Sequence, residues 1–192
     1  MAEALFSPVR FSSSAFTFAR CFWMGLRHTK VYRPAALSSF VPSMYTVLWS
    51  VYTEEYNGAG SIFLDSRNSS DLSDRHTVIY GHHLKNGAMF SSLTGYKKQD
   101  YYEAHPTLYL MTPEKNYEIK VFAGYVASVK DDAWQLNFDS EESFQAWIGR
   151  AIEKSTFSSN ITPAGTDRII TLSTCSYEFD NARYVLVGIL NG

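Results

Sequence analysis

Residues 168–190 read RIITLSTCSYEFDNARYVLVGIL, and this stretch decides the fold. Two apolar runs, 168–175 and 183–190, flank a polar connection, which is typical of a pair of buried strands. The first run ends on Cys175 and the second begins with Arg183. If the intervening residues form the connection, Arg183 returns to the level of Cys175, so that a thiol and a guanidinium become neighbours.

Further strands are predicted upstream of this stretch. Short runs of β-branched and aromatic residues occupy 61–65 and 77–80, and turn-forming residues precede the first of them. A second pair of runs, 107–111 and 117–129, is joined by a Pro-containing turn. Strands joined by turns in this way are typical of a closed or nearly closed barrel.

One segment before the cysteine strand has the period of a helix. Its apolar residues recur at i, i+3, i+4, i+7 and i+8 and share one helical face; they are Phe144, Trp147, Ile148, Ala151 and Ile152. Asp139 or Ser140 is suited to cap the helix at its N-terminus. The sequence therefore predicts a mainly β protein, a closed barrel with helical insertions that include a long helix over residues 140–154.

Composition limits the classes of function. The chain has 192 residues, of which 45% are hydrophobic and 19% charged, a globular balance. Its net charge of −2 argues against nucleic-acid binding as its main function. Residues 1–50 carry five basic residues and one acid, hence +4, and contain no apolar run of the length a transmembrane helix needs. We therefore divide the chain into an unassigned segment, 1–50, and a domain that comprises residues 51–192.

The two cysteines, Cys21 and Cys175, have no metal-ligand spacing, and a disulfide between them stays open at this stage. A cysteine in an apolar run is most often a small buried hydrophobe. Small hydroxylated neighbours, however, suit a strand end that opens on a cleft. Arg183 can favour the thiolate or donate to a developing oxyanion, so Cys175 is a candidate nucleophile.

Two adjacent histidines supply a candidate proton donor. His82 and His83 follow a predicted strand and Gly81. Neighbouring residues on extended chain point to opposite sides, so this pair does not chelate one metal ion in the usual way. One ring can face a cleft while the other faces solvent or packing, and both can also be incidental surface residues. With Cys175 and Arg183, one of the two completes a plausible acyl-transfer site.

Three stretches together resemble the sortases, the cysteine transpeptidases of Gram-positive bacteria. They are GSIFLDSRN at 60–68, HTVIYGHHLKNGAMF at 76–90 and ITLSTCSYEFDNARYVLVG at 170–188. The helix predicted at 140–154 resembles the insertion that marks class B members. Residues 1–50 match no family motif, and no membrane anchor of the family kind is recognised there.

The resemblance implies a sortase barrel with His82, Cys175 and Arg183 as catalytic residues and, less directly, Ser173 and Thr174 next to the bound substrate. It implies that the enzyme cuts an Asn-Pro-X-Thr type sorting signal after threonine through a thioacyl intermediate. The acyl group, a surface protein, then passes to an amine of a lipid-linked cell-wall precursor. These steps need no metal or organic cofactor.

The resemblance also implies a location at the extracytoplasmic face of the membrane of a Gram-positive bacterium. Two other classes of function remain open on the sequence alone. The chain can be a cysteine peptidase that mainly hydrolyses such signals, or an inactive sortase-like barrel that binds peptides.

Overall fold

The computed structural model describes residues 9–10, 62–112 and 116–192. Within these ranges lie seven strands and two α-helices. The predicted domain boundary at residues 50 and 51 lies outside the described residues, and so does Cys21.

The strands form a single mixed sheet. In chain order they are β1 (Val9–Arg10), β2 (Phe63–Leu64), β3 (His76–Tyr80), β4 (Thr107–Met111), β5 (Asn116–Ala127), β6 (Ile169–Cys175) and β7 (Arg183–Asn191). Their order across the sheet is β1-β4-β5-β7-β6-β3-β2. Neighbours run antiparallel, except that β1 is parallel to β4 and β3 is parallel to β6.

The strand predictions from β2 to β7 are confirmed, including the antiparallel pairing of β4 with β5 and of β6 with β7. β1 was not predicted. Within the described residues β1 and β2 are the outer strands of the sheet. The mainly β class is therefore confirmed, whereas closure of the sheet into a barrel stays a prediction.

The helix predicted before the cysteine strand is present as Glu141–Glu153, which we call α2. Ser140 caps it, since its hydroxyl accepts the Ser143 N–H at 3.2 Å while the Ser143 hydroxyl lies 3.1 Å from the Ser140 N–H. Ile152, predicted on the buried face, is 43% exposed because it lies at the margin of that face in the last turn.

Three shorter helical segments complete the described structure. A 3-10 helix, Ser91–Lys97, leads into α1, Gln99–Ala104, and a second 3-10 helix, Asp132–Trp134, precedes α2. Sequence analysis predicted none of them, because each is too short to establish an apolar period. No helix in the described ranges has the length and apolar character that crossing a membrane requires.

A hydrophobic core covers each face of the sheet. On one face, residues from β3 to β7 pack with the first 3-10 helix and α1; this core includes Ile79, Leu93, Tyr96, Tyr102, Leu172, Tyr184 and Leu186. On the other face, β5, β6 and β7 pack against α2; this core includes Tyr125, Phe144, Trp147, Ile169, Val185 and Val187. Side chains alternate between the two faces along a strand, so Cys175 lies on the same face as Ile169 of β6, and Arg183 on the same face as Val185 of β7. This is the face that carries α2.

His76 lies within the core beside α2 and is 1% exposed. Its Nδ1–H donates to the Gln135 carbonyl at 2.6 Å, and its Nε2 accepts the Thr171 hydroxyl at 2.8 Å. Its ring centroid lies 4.5 Å from that of Trp147. The imidazole therefore ties β3 and β6 to the segment that leads into α2.

Candidate active site

Cys175 and Arg183 lie opposite each other on neighbouring antiparallel strands. Cys175 is the last residue of β6, Arg183 is the first of β7, and the register pairs their Cα atoms. The connection between them is closed at its base, where the Ser176 N–H donates to the Ala182 carbonyl at 3.0 Å. Directly opposed residues project to the same face of a sheet, so the thiol and the guanidinium are brought together as the sequence predicted.

The two side chains differ in exposure. Cys175 is half-buried and carries a free thiol, whereas Arg183 is only 6% exposed. Burial lowers the pKa of Arg183 to about 10, although Cys175 and Tyr177 oppose this shift. Its Nη1 donates to the neighbouring Ala182 carbonyl. At neutral pH the guanidinium thus keeps its charge in a poorly solvated position, where its field acts more strongly on a thiolate or an oxyanion than in water.

The parallel pairing of β3 with β6 brings His82 to the same end of the sheet. The register pairs Tyr80 with Ser173, and the Gly81 N–H donates to the Ser173 carbonyl at 3.0 Å. Two residues further along both chains, this register sets His82 opposite Cys175. The imidazole of His82 is half-buried. The chain that leaves β3 and the facing ends of β6 and β7 therefore bring the three residues predicted to act together to one end of the sheet.

His83 has a partner that the sequence did not indicate. Its Nδ1 lies 3.0 Å from the backbone carbonyl oxygen of Cys175, and its ring centroid lies 5.4 Å from that of Tyr177. A carbonyl only accepts hydrogen bonds, so Nδ1 carries the proton. His83 is thus not an incidental surface residue, because it contacts the candidate nucleophile through the main chain.

Ser173 and Thr174 lie on opposite faces of β6, and each is 2% exposed. Ser173 shares the face of Cys175, and its hydroxyl accepts the Trp134 indole N–H at 3.3 Å. The hydroxyl of Thr174 is buried and has no hydrogen-bond partner within the described part of the chain. Trp134, a half-buried residue that sequence analysis did not single out, therefore covers the serine next to the thiol.

Lys97, which sequence analysis missed, contacts the connection that follows the candidate nucleophile. Its ammonium donates to the Ser176 hydroxyl at 3.1 Å and forms an ion pair with Glu178. Partial burial opposes the ionised form of Glu178, yet the hydrogen bonds from Lys97 and Ser176 lower its pKa to about 2. Since Ser176 follows the candidate nucleophile directly, Lys97 ties the connection between β6 and β7 to the first 3-10 helix.

Comparison with known proteins gives consistent matches. The family model described as Sortase domain matches residues 41–191, and so begins ahead of the boundary proposed at residue 51. Sortase B of Listeria monocytogenes is 38% identical over 141 residues, which cover 72% of this chain and 57% of the relative. Sortase B of Staphylococcus aureus is 33% identical over 138 residues, which cover 71% and 57%. The chain thus spans less than two thirds of the length of these curated relatives.

Solved structures agree with the sequence matches. The Staphylococcus aureus sortase B–substrate complex aligns with a TM-score of 0.70 and 30% identity, covering 76% of this chain and 68% of that one. Sortase B from Listeria monocytogenes aligns with a TM-score of 0.66 and 37% identity, covering 75% and 80%. The family match spans most of the chain, and the relatives that share this fold are class B enzymes. The chain therefore belongs to the sortase family and, within it, to class B.

Proposed function

We propose that this chain is a cysteine transpeptidase that cleaves a C-terminal sorting signal of the Asn-Pro-X-Thr type after threonine. The observation that carries the proposal is the direct pairing of Cys175 with Arg183, with His82 on the chain that continues β3 towards the same end of the sheet. Membership of class B supports it, and so does similarity to a Staphylococcus aureus sortase B that was solved as a substrate complex.

The first half of the reaction is an acyl transfer to sulphur. The Cys175 thiolate attacks the threonine carbonyl carbon, and the carbonyl π electrons move onto oxygen. Arg183 donates hydrogen bonds to that oxyanion, a contribution worth roughly 3–4 kcal/mol of barrier. When the oxyanion collapses, the C–N bond breaks, and His82 as an imidazolium gives its proton to the departing amine, since an amide anion is too basic to leave. A thioester to Cys175 and a free amine result.

The second half reverses these roles. An acceptor amine attacks the thioester, neutral His82 takes its proton, and the Cys175 thiolate leaves. Splitting one amide exchange into two acyl transfers lowers the barrier of each step. Every step uses side chains of this chain and the two substrates, so the mechanism requires no metal or organic cofactor.

The bound signal would extend along the end of β6. Ser173 lies two residues before the nucleophile on the same face, roughly 7 Å away at the spacing of a strand. Trp134, which donates to its hydroxyl, would form one wall next to the thiol. We assign Ser173, and Thr174 on the opposite face, to the strand positions adjacent to the signal.

The proposed chemistry implies the partners and the location. The donor would be a surface protein that carries the sorting signal, and the acceptor an amine of a lipid-linked cell-wall precursor. Both meet at the extracytoplasmic face of the membrane of a Gram-positive bacterium. Residues 51–192 would form the catalytic domain, with 1–50 as a separate segment.

The test is incubation of a labelled Asn-Pro-X-Thr peptide with the chain, with and without an amine acceptor, followed by mass spectrometry. We expect a transfer product and a thioester on Cys175. Cys175→Ala should retain less than roughly one part in a thousand of the turnover, beyond the loss of a single auxiliary donor. Cys21→Ala, the matched control, should be nearly unchanged. Hydrolysed product alone would favour a peptidase, and peptide binding without a thioester would favour a binding barrel.

A further inference from the structure

The parallel pairing of β3 with β6 ends just before the candidate nucleophile. One residue beyond the end of β3, the Gly81 N–H still donates a backbone hydrogen bond to the Ser173 carbonyl on β6. In a parallel ladder, bonds of one series recur every two residues along both strands. The next bond would therefore run from the His83 N–H to the Cys175 carbonyl.

The His83 side chain takes the place of that missing bond. β3 ends at Tyr80, and His83 instead forms an isolated bridge with Met89 as the chain turns away. Its imidazole Nδ1–H donates to the Cys175 carbonyl at 3.0 Å. We call this hydrogen bond the His83 clasp. It prolongs the link between the two strands to the level of Cys175.

The His83 ring also contacts an aromatic side chain of the connection between β6 and β7. The ring lies against Tyr177, with centroids 5.4 Å apart and planes inclined at 51°. Tyr177 is itself 76% exposed, so this contact lies at the surface. The neutral Nδ1–H tautomer and the imidazolium both present this donor.

We propose that His83 is a positioning residue that fixes the distance between His82 and the Cys175 thiol. His82 is bonded directly to His83, and the clasp joins His83 to the main chain of the nucleophile itself. Displacing a reacting group by about 1 Å can cost on the order of a hundredfold in rate. This inference rests on the proposed acyl-transfer function, since it assigns His82 and Cys175 to one reaction.

Two substitutions separate the clasp from simple packing. His83→Phe keeps an aromatic ring against Tyr177 but removes the donor. His83→Asn loses the ring but keeps a nitrogen donor bonded to Cγ, where Nδ1 of histidine stands. We expect His83→Phe to lower kcat about 10- to 100-fold with KM within about threefold, because positioning affects the chemical step more than binding. His83→Asn should recover kcat to within about threefold of wild type, since hydrogen bonding rather than ring packing is restored.

A second measurement needs no substrate. Hydrogen–deuterium exchange followed by mass spectrometry should show backbone amides of residues 81–84 exchanging about fivefold faster in His83→Phe, as the loss of one hydrogen bond predicts. His83→Asn should restore protection. If the wild-type chain turns over no signal peptide, the proposed function fails, and this exchange measurement still decides whether the clasp exists.

Either of two results would overturn the inference. One is wild-type kcat and wild-type exchange in His83→Phe, which would mean that the donor is dispensable. The other is a His83→Asn variant as slow as His83→Phe, because the ring rather than the hydrogen bond would then matter. Circular dichroism on both variants establishes that the chains compared are folded.

Discussion

Arg183 is buried directly opposite Cys175, with 6% of its surface exposed, at the point where β7 begins. A buried guanidinium presents several N–H donors in a fixed plane, whereas an ammonium presents a compact charge. The desolvation that lowers the pKa of Arg183 to about 10 also strengthens its interaction with a negative charge on the sulphur or on the reacting oxygen. We therefore expect the activity to depend on both the geometry and the charge of this side chain.

Replacing Arg183 by lysine should therefore abolish most of the activity. Lysine keeps the charge but cannot hold two oxygens in a planar fork, so we expect Arg183→Lys to lose about 10²–10³ in kcat/KM with the fold intact. Arg150→Lys is the matched control, since Arg150 is an exposed arginine on α2 that pairs with Asp132 and should tolerate the change. Kinetics near wild type for Arg183→Lys would show that charge alone suffices.

Local patterns in the sequence accounted for most of the architecture. The strands β6 and β7 were recognised because apolar runs and the intervening polar connection are features of neighbouring residues. Helix α2 was recognised for a similar reason, since its period and its cap are local signals. The proximity of Cys175 and Arg183 followed from a short connection alone, and the register confirms it.

Contacts between distant parts of the chain were not predictable in this way. His83 reaches the carbonyl of Cys175 across 92 positions, and Lys97 reaches Ser176 across 79. No periodicity links such residues, because the parallel pairing of β3 with β6 and the packing of the first 3-10 helix on the sheet join parts of the chain that are far apart in sequence. The short 3-10 helix that carries Lys97 also lacks the length to produce a pattern.

The buried His76 should make stability depend on pH. Burial lowers its pKa from 6.5 to about 4, although the hydrogen bond to the Gln135 carbonyl opposes the shift. Below pH 6.5 the unfolded chain binds a proton that the folded chain does not, so the free energy of unfolding falls as the pH drops towards about 4. The loss totals roughly 3 kcal/mol and is absent above the unfolded pKa.

Urea unfolding of wild type and His76→Gln at about pH 7 and about pH 4.5 measures this contribution. The glutamine does not titrate, so the variant should be less stable at neutral pH but should lose less stability on acidification. His105→Gln is the control, because that half-buried histidine bonds to the nearby Tyr101 carbonyl and lies outside both cores. An equal acid-induced loss in wild type and His76→Gln would assign the effect to other groups.

The ion pair of Lys97 with Glu178 should influence activity through the connection that follows Cys175. About a third of each side chain is exposed, so the pair is worth at most about 1 kcal/mol, or about fivefold in rate. We expect Lys97→Met and Glu178→Gln each to lower kcat/KM by about two- to fivefold. Raising the salt concentration should slow the wild type but not these variants, because salt screens partly exposed charges.

His82 is proposed to act on the reaction at Cys175 in one of two ways, and one pair of rates separates them. As the acid that protonates the leaving amine, His82 should lose about 10²–10⁴ in peptide turnover on replacement by alanine. Alkylation of Cys175 by iodoacetamide should change by less than about tenfold, because iodide leaves without a proton and needs no acid.

His105→Ala should leave both rates unchanged. Peptide mass spectrometry assigns the alkylated cysteine, and circular dichroism confirms the fold. If alkylation falls as steeply as turnover in His82→Ala, the histidine acts by ionising the thiol, and the proposed proton transfer to the amine is wrong.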